Sequence, residues 1–189
     1  MADNICYENN GYVKFILNGV ELMSNPKDTR TPDDKYNRNF AGDTRVITPK
    51  SGKSFKTDER FGNIIVPADM VEKFKEYNIN MWELKDPDEN GNPIYKAKIK
   101  LAFGSKTNVN LVVPKKRPIQ LTEETVGTID TIHVRNIDVE LGRGRQAADN
   151  GKYQLWINTM YVYQDIPEDP FQYKFADLEY ESDDEDCPF

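Results

Sequence analysis

Residues 95–103 read Tyr95-Lys96-Ala97-Lys98-Ile99-Lys100-Leu101-Ala102-Phe103. Successive side chains of an extended strand point to opposite faces, so this order sends Tyr95, Ala97, Ile99, Leu101 and Phe103 to one side and all three lysines to the other. The strict period of two marks a half-buried strand. Three like charges on one face repel one another unless acidic neighbours or a bound polyanion neutralise them. Two readings of the lysine face stay open: an edge strand blunted against further pairing, or a surface that takes up a polyanion.

Working outward, most of the chain has the same character. Residues 12–17 are mostly β-formers, and Asn18-Gly19 supplies the positive φ angles of a tight turn before residues 20–23, so a hairpin is expected there. Residues 24–39 are rich in Pro, Asp, Asn and Arg without a period and read as a long loop that carries Lys27, Arg30, Lys35 and Arg38, with Tyr36 among them. Short strands follow at 44–48 and 61–66. After Pro67 the residues Met70, Val71, Phe74 and Tyr77 fall on one helical face with Glu72, Lys73, Lys75 and Glu76 opposite, and Asn78 is a left-handed stop. Residues 82–84 lead into the turn at 86–93. Beyond the lysine strand come a strand at 108–113, a basic loop with Lys115, Lys116 and Arg117 between two prolines, and a single capped turn at Thr122 to Thr125. Two long strand-like runs, 131–141 and 153–163, close the pattern, joined by a loop over 142–151.

About eight strands, one mid-chain helix and frequent turn signals describe a mostly-β domain closed as a small barrel, which removes sheet edges. One helix between consecutive strands of a five-stranded, partly open barrel is the plan of an OB-fold. The expected organisation is an OB-fold-like barrel over residues 1–166 and a linker with a disordered acidic tail over 167–189. No internal repeat is present.

The net charge of −7 has an address. Residues 177–186 hold seven acids and no base, which leaves 25 acids against 25 bases in the preceding 176 residues. The pI near 4.9 therefore describes the tail, and a balanced body is free to carry a basic groove. Cys6 and Cys187 stand at opposite ends, and His133 is the single histidine, so neither a zinc cluster nor a disulfide framework is expected. No cofactor or metal is expected, and no spacing assigns a nucleophile to His133, so the chain does not read as an enzyme. Gly142-x-Gly144-x-x-Ala147 lacks the helix a dinucleotide fingerprint needs, and Gly52-Lys53-Ser54 lacks the first glycine of a phosphate loop. The N-terminus has no basic and apolar leader pattern, and no run is long enough to span a bilayer, so a reducing cytosol is the expected location.

Two further stretches carry chemistry. If Leu155, Ile157 and Tyr161 face the core, Trp156 shares the other face with Gln154 and Asn158, a flat ring in polar company of the kind on which bases stack, at about 1–3 kcal/mol per base. Alternatively that face packs under the helix or against another subunit, since Met160 and Val162 continue it. Arg143 and Arg145, between glycines in the expected loop, place guanidiniums on a flexible tip suited to phosphates.

The last seven residues, Asp183, Asp184, Glu185, Asp186, Cys187, Pro188 and Phe189, join four carboxylates to an apolar anchor. A purely solubilising tail has no use for a terminal aromatic. This ending resembles the C-terminal tip of bacterial single-stranded DNA-binding proteins and the tails of their phage counterparts, with Cys187 where the bacterial tip has a larger aliphatic residue. In the body, Asn39-Phe40, Phe61-Gly62-Asn63-Ile64-Ile65-Val66-Pro67, Asn80-Met81-Trp82, Val126-Gly127-Thr128-Ile129-Asp130, Asn136-Ile137-Asp138-Val139 and Leu155-Trp156-Ile157-Asn158-Thr159-Met160-Tyr161-Val162 resemble phage-encoded OB-fold single-stranded DNA-binding proteins. The long Gly/Gln/Pro-rich linker of the bacterial proteins is missing. The resemblance implies a basic, aromatic-bearing groove for single-stranded DNA, and a tail that contacts replication and recombination proteins and competes with DNA for the groove. It also implies the host cytoplasm as location. Dimerisation is frequent in that family, which adds a homodimer to the partners to test.

The leading expectation is thus a non-catalytic, sequence-tolerant single-stranded DNA-binding protein of phage replication or recombination. Lys96, Lys98, Lys100, Arg143, Arg145 and Lys115 to Arg117 would neutralise phosphates; Trp156, with Tyr36, Phe40 or Phe55, would stack bases. The alternative from another class is a protein-interaction module with a merely solubilising tail.

Overall fold

The computed structural model describes residues 3–24, 37–42, 45–47, 55–57 and 59–165, with side chains for all of them except 45–47 and 55–57. The strands are β1 (Ile5–Asn9), β2 (Tyr12–Val20), β3 (Arg38–Asn39), β4 (Arg45–Ile47), β5 (Phe55–Thr57), β6 (Arg60–Ile65), β7 (Met81–Glu83), β8 (Tyr95–Leu101), β9 (Asn108–Val112), β10 (Ile119–Leu121), β11 (Val134–Ala147) and β12 (Tyr153–Gln164). A 3-10 turn (Ala68–Met70) leads into α1 (Val71–Glu76), and a second 3-10 turn covers Val126–Asp130. Among the described residues the chain is mostly β with one short mid-chain helix, as expected.

The lysine strand β8 lies inside the sheet. It pairs antiparallel with β6 and parallel with β12; β12 pairs antiparallel with β11, and β11 antiparallel with β2. The path of β2 then returns toward β6: Leu22 bridges Ile64, and the N–H groups of Met23 and Ile65 donate to the carbonyls of Asn63 and Glu21 at 2.9 and 3.1 Å. Five strands thus come round in an OB-fold-like order. A single bridge holds the seam, so the sheet curls toward a barrel without closing into one.

Asn18-Gly19 does something other than the hairpin expected of it. β2 runs straight through the pair; Gly19 has φ +65°, donates its N–H to Asp138 Oδ1 at 2.7 Å, and sits beside a register irregularity in the β11 pairing. It makes a bulge, which bends the strand from β11 toward β6. The hairpin forms at the preceding Asn-Gly pair, Asn10-Gly11, with φ of 50° and 78° and Asn9 directly opposite Tyr12. Both glycines take positive φ. What separates them is the partner: residues 5–9 are available to pair beyond Gly11, whereas the chain beyond Gly19 is claimed by β6.

The inner faces of the barrel strands supply the core, with Phe15, Leu17, Ile64, Ala97, Ile99, Ile137, Leu141, Leu155 and Met160 all fully enclosed. The 3-10 turn buries Met70 and the helix buries Phe74, as the periodicity predicts, the Phe74 ring meets Phe15 edge-on at 4.7 Å, and Asn78 stops the helix at φ 52°. On another side Asp130 accepts the N–H groups of Phe40 and Ala41 at 2.9 and 2.8 Å, which fastens β3 to the second 3-10 turn. Arg38, expected in a loop, is a buried strand residue whose Nη2 donates to the Ile132 carbonyl at 2.9 Å.

Two expectations about the long strands are corrected. β11 continues through Ala147, so Gly142 to Arg145 are strand residues and not a flexible tip. In β12 the pairing steps from Leu141 with Ile157 to Glu140 with Thr159, leaving Asn158 as an extra residue. That bulge shifts the phase of everything after it. Leu155 and Ile157 face inward as expected, but Met160 and Val162 follow them into the core and Tyr161 is exposed.

Candidate nucleic-acid interface

Residues directly opposite in a sheet share a face. The registers give Tyr7 opposite Lys14, Lys14 opposite Gly142, Gly142 opposite Trp156, Trp156 opposite Lys100, and Lys100 opposite Phe61. Across six strands the outer surface therefore reads Tyr, Lys, Gly, Trp, Lys, Phe, a row about 24 Å long at the usual strand spacing. Tyr7 and Trp156 are 40% and 39% exposed. The two glycines of β11 make room for the indole: a Cβ on Gly144 would stand 3.4 Å from Trp156 Nε1, and Gly142 carries no side chain beside it. The helix packs on Phe15, whose side chain points to the opposite face, and does not cover this one.

Since β8 lies between β6 and β12, its lysines do not blunt an edge. They meet an acidic neighbour instead. Glu59, just before β6, accepts a hydrogen bond from Lys100 and has Lys98 Nζ at 3.5 Å. Burial pushes the Glu59 carboxyl up, but the hydrogen bonds and charges of the two lysines outweigh it and hold the group below the usual carboxylate range. Lys98 lies 4.3 Å from the centre of the Phe61 ring and Lys100 5.7 Å from that of Trp156. At the other side of the row Lys14 pairs with Glu140 at 2.7 Å, and Glu140 also accepts from Asn158 Nδ2 at 3.1 Å. Burial again raises this carboxyl, and those two partners more than reverse it.

The remaining expected residues distribute unevenly. Lys96 joins Lys98 and Lys100 on the outer face, with Ile65 opposite it on one side and Trp82 on the other. Arg145 donates to the Tyr12 hydroxyl at 2.8 Å, beside the β1–β2 end of the row. Arg143 sits opposite Leu155, on the inward side at the barrel rim, with its guanidinium 4.5 Å from the Tyr153 ring and 5.7 Å from that of Tyr77. Lys115, Lys116 and Arg117 are exposed at the β9–β10 tip, beyond the Val112–Tyr163 pair, so they lie roughly 23 Å along β12 from Trp156. Phe40 is corrected as a stacking candidate: it is fully buried beneath the sheet and offers no ring face to a base. Tyr36 and the tail residues Asp183, Asp184, Glu185, Asp186, Cys187, Pro188 and Phe189 lie outside the described residues, as does the side chain of Phe55.

Five residues on this surface escaped the sequence reading: Tyr7, Tyr12, Lys14, Phe61 and Trp82. Tyr7 and Tyr12 flank Asn10-Gly11, so the right hairpin assignment would have found them. Trp82 belongs to a three-residue strand, too short to show a period. Among the described residues no three His, Cys, Asp or Glu side chains gather as a metal site, and no helix is long and apolar enough to cross a membrane.

Comparison with protein-family models, with curated proteins and with solved structures returns no match to this chain.

Proposed function

We propose that this chain binds single-stranded DNA without strong sequence preference and without catalysis, and serves phage replication or recombination in the host cytoplasm. The observation that carries the reading is one open sheet face on which the rings of Tyr7, Trp156 and Phe61 stand among the cations of Lys14 and Lys100. Rings stack on any base and cations follow any phosphate backbone, so the combination favours a single strand and is indifferent to its sequence. A duplex hides its base faces and gains only the charge contacts. The acidic ending, Asp183 to Phe189, would recruit replication and recombination proteins through Pro188 and Phe189.

Gel-shift titrations against single- and double-stranded oligonucleotides test this. Clear preference for the single strand is expected, with log K falling by about 0.7 per phosphate contact for each tenfold rise in salt. Equal affinity for both forms, or none for either, would sink it. A second reading, a protein-interaction module, is favoured by one feature: an open cleft of about 360 Å³ lined by Asn18, Asp138, Glu140, Thr159, Tyr161 and Tyr163. Its carboxylates repel phosphate, so it suits a protein better than a nucleic acid. Charge reversal of Lys96, Lys98 and Lys100 separates the two readings, since only the first loses nucleic-acid binding.

A further inference from the structure

We propose that the single strand runs along β8 and not across the sheet, with one base on Trp82, another on Trp156, and the intervening phosphates on Lys96, Lys98 and Lys100. The inference rests on the nucleic-acid reading of this face and adds the path and a second stacking platform. The chain has two tryptophans. Both stand on the same face and on the same flank of the same strand. Trp82 is opposite Lys96 in the β7–β8 pair, and Trp156 is opposite Lys100 in the β12–β8 pair. Lys96 and Ala97 pair with β6 as well as with β7, and Ile99 and Lys100 with β6 as well as with β12. β7 and β12 therefore share the edge of β8 that faces away from β6.

The Trp82 ring is not among the side chains that pack on the hydrophobic core. Met81 is the residue of β7 that packs against the core, while Trp82 is 42% exposed. A large exposed ring at the end of a cation ladder is explained by a ligand with a flat face. The spacing fits a nucleotide chain. Lysines two residues apart on a strand are roughly 6.6 Å apart, which is about twice the ~3.4 Å rise of a stacked strand and so matches one unstacked nucleotide per lysine. Trp82 and Trp156 are four residues apart along β8, roughly 13 Å, or about two such steps. The path across the sheet has fewer cations, Lys14 and Lys100, and leaves Trp82 out of reach.

Intrinsic fluorescence decides it. In Trp156→Phe the emission reports on Trp82 alone, and in Trp82→Phe on Trp156 alone. Titration with an oligothymidylate of about ten nucleotides should quench both variants over the same concentration range, and Trp82→Ala should weaken binding about tenfold in a gel shift. Quenching of Trp156 with an unresponsive Trp82 overturns the path along β8 while leaving the face as a single-strand site. If neither tryptophan responds and no gel shift forms, the function proposed for the face fails as well.

Discussion

Glu59 occupies the place a phosphate would take. It bridges Lys100 and Lys98, two of the three lysines on the proposed path, so a nucleic acid must displace it or share the cations with it. The Glu59→Gln variant keeps the shape and removes the competing charge. Partly exposed ion pairs of this kind are worth at most about 1 kcal/mol, so single-strand affinity should rise roughly fivefold, read from a gel shift at low salt. Unchanged or weaker binding would mean that Glu59 orients the lysines for the ligand. The same carboxylates set an acid limit on stability. Glu59 and Glu140 both titrate below the usual range in the folded chain. Their contribution is present above the unfolded pKa of about 4.3 and is lost as pH falls through the lower folded values. Thermal melting from about pH 6 down to about pH 3 should show this loss, and the double variant Glu59→Gln, Glu140→Gln should flatten it.

Among the elements, the curl of the sheet depends on how near β2 comes to β6. Gly62 sits at that junction: a Cβ there would stand 2.9 Å from Leu22 Cδ1 and 3.0 Å from Phe40 Cζ. Gly62→Val would force the strands apart where one bridge holds them, and overpacking of this kind costs about 1–3 kcal/mol. The expected result is a lower midpoint in urea, with Trp156 still able to respond to oligonucleotide below the transition. The elements also show what the chain's order makes legible. The period-two pattern of residues 95–103 and the helical face of Met70 and Phe74 are local properties, and both are found as read. Bulges are not local. Asn158 is an ordinary strand residue until Glu140 and Leu141 are aligned against Thr159 and Ile157, and only then does Tyr161 turn outward. Asn10-Gly11 and Asn18-Gly19 make the same point, since both place a glycine at positive φ and their roles differ through the partner each strand finds. Of the candidate site, the lysines and Trp156 could be read because alternation marks them. Phe61 and Trp82 could not, because only cross-strand register brings them beside those residues.

For the whole molecule the decisive quantity is where the charge lies. Residues 177–186 carry seven acids, and the preceding 176 residues balance. β12 ends at Gln164, eight residues beyond Trp156, which is roughly 26 Å along the strand. The stretch from Asp165 to Asp183 covers 18 residue steps and can span at most roughly 60–65 Å. The acidic ending is therefore long enough to reach the lysine face of its own chain. A polyanion tethered within such a radius competes at an effective concentration on the order of millimolar. Ending the chain at Ala176 should therefore tighten single-strand binding, most at low ionic strength, where screening is weakest. The same truncation should abolish recruitment of any partner that reads Pro188 and Phe189. If gel shifts at low salt show the same affinity with and without residues 177–189, the tail does not enter the groove, and its part in function reduces to recruitment. If the affinity gain appears and Glu59→Gln raises affinity more in the truncated chain than in the full one, tail and Glu59 compete for the same lysines, which would place the tail on Lys98 and Lys100.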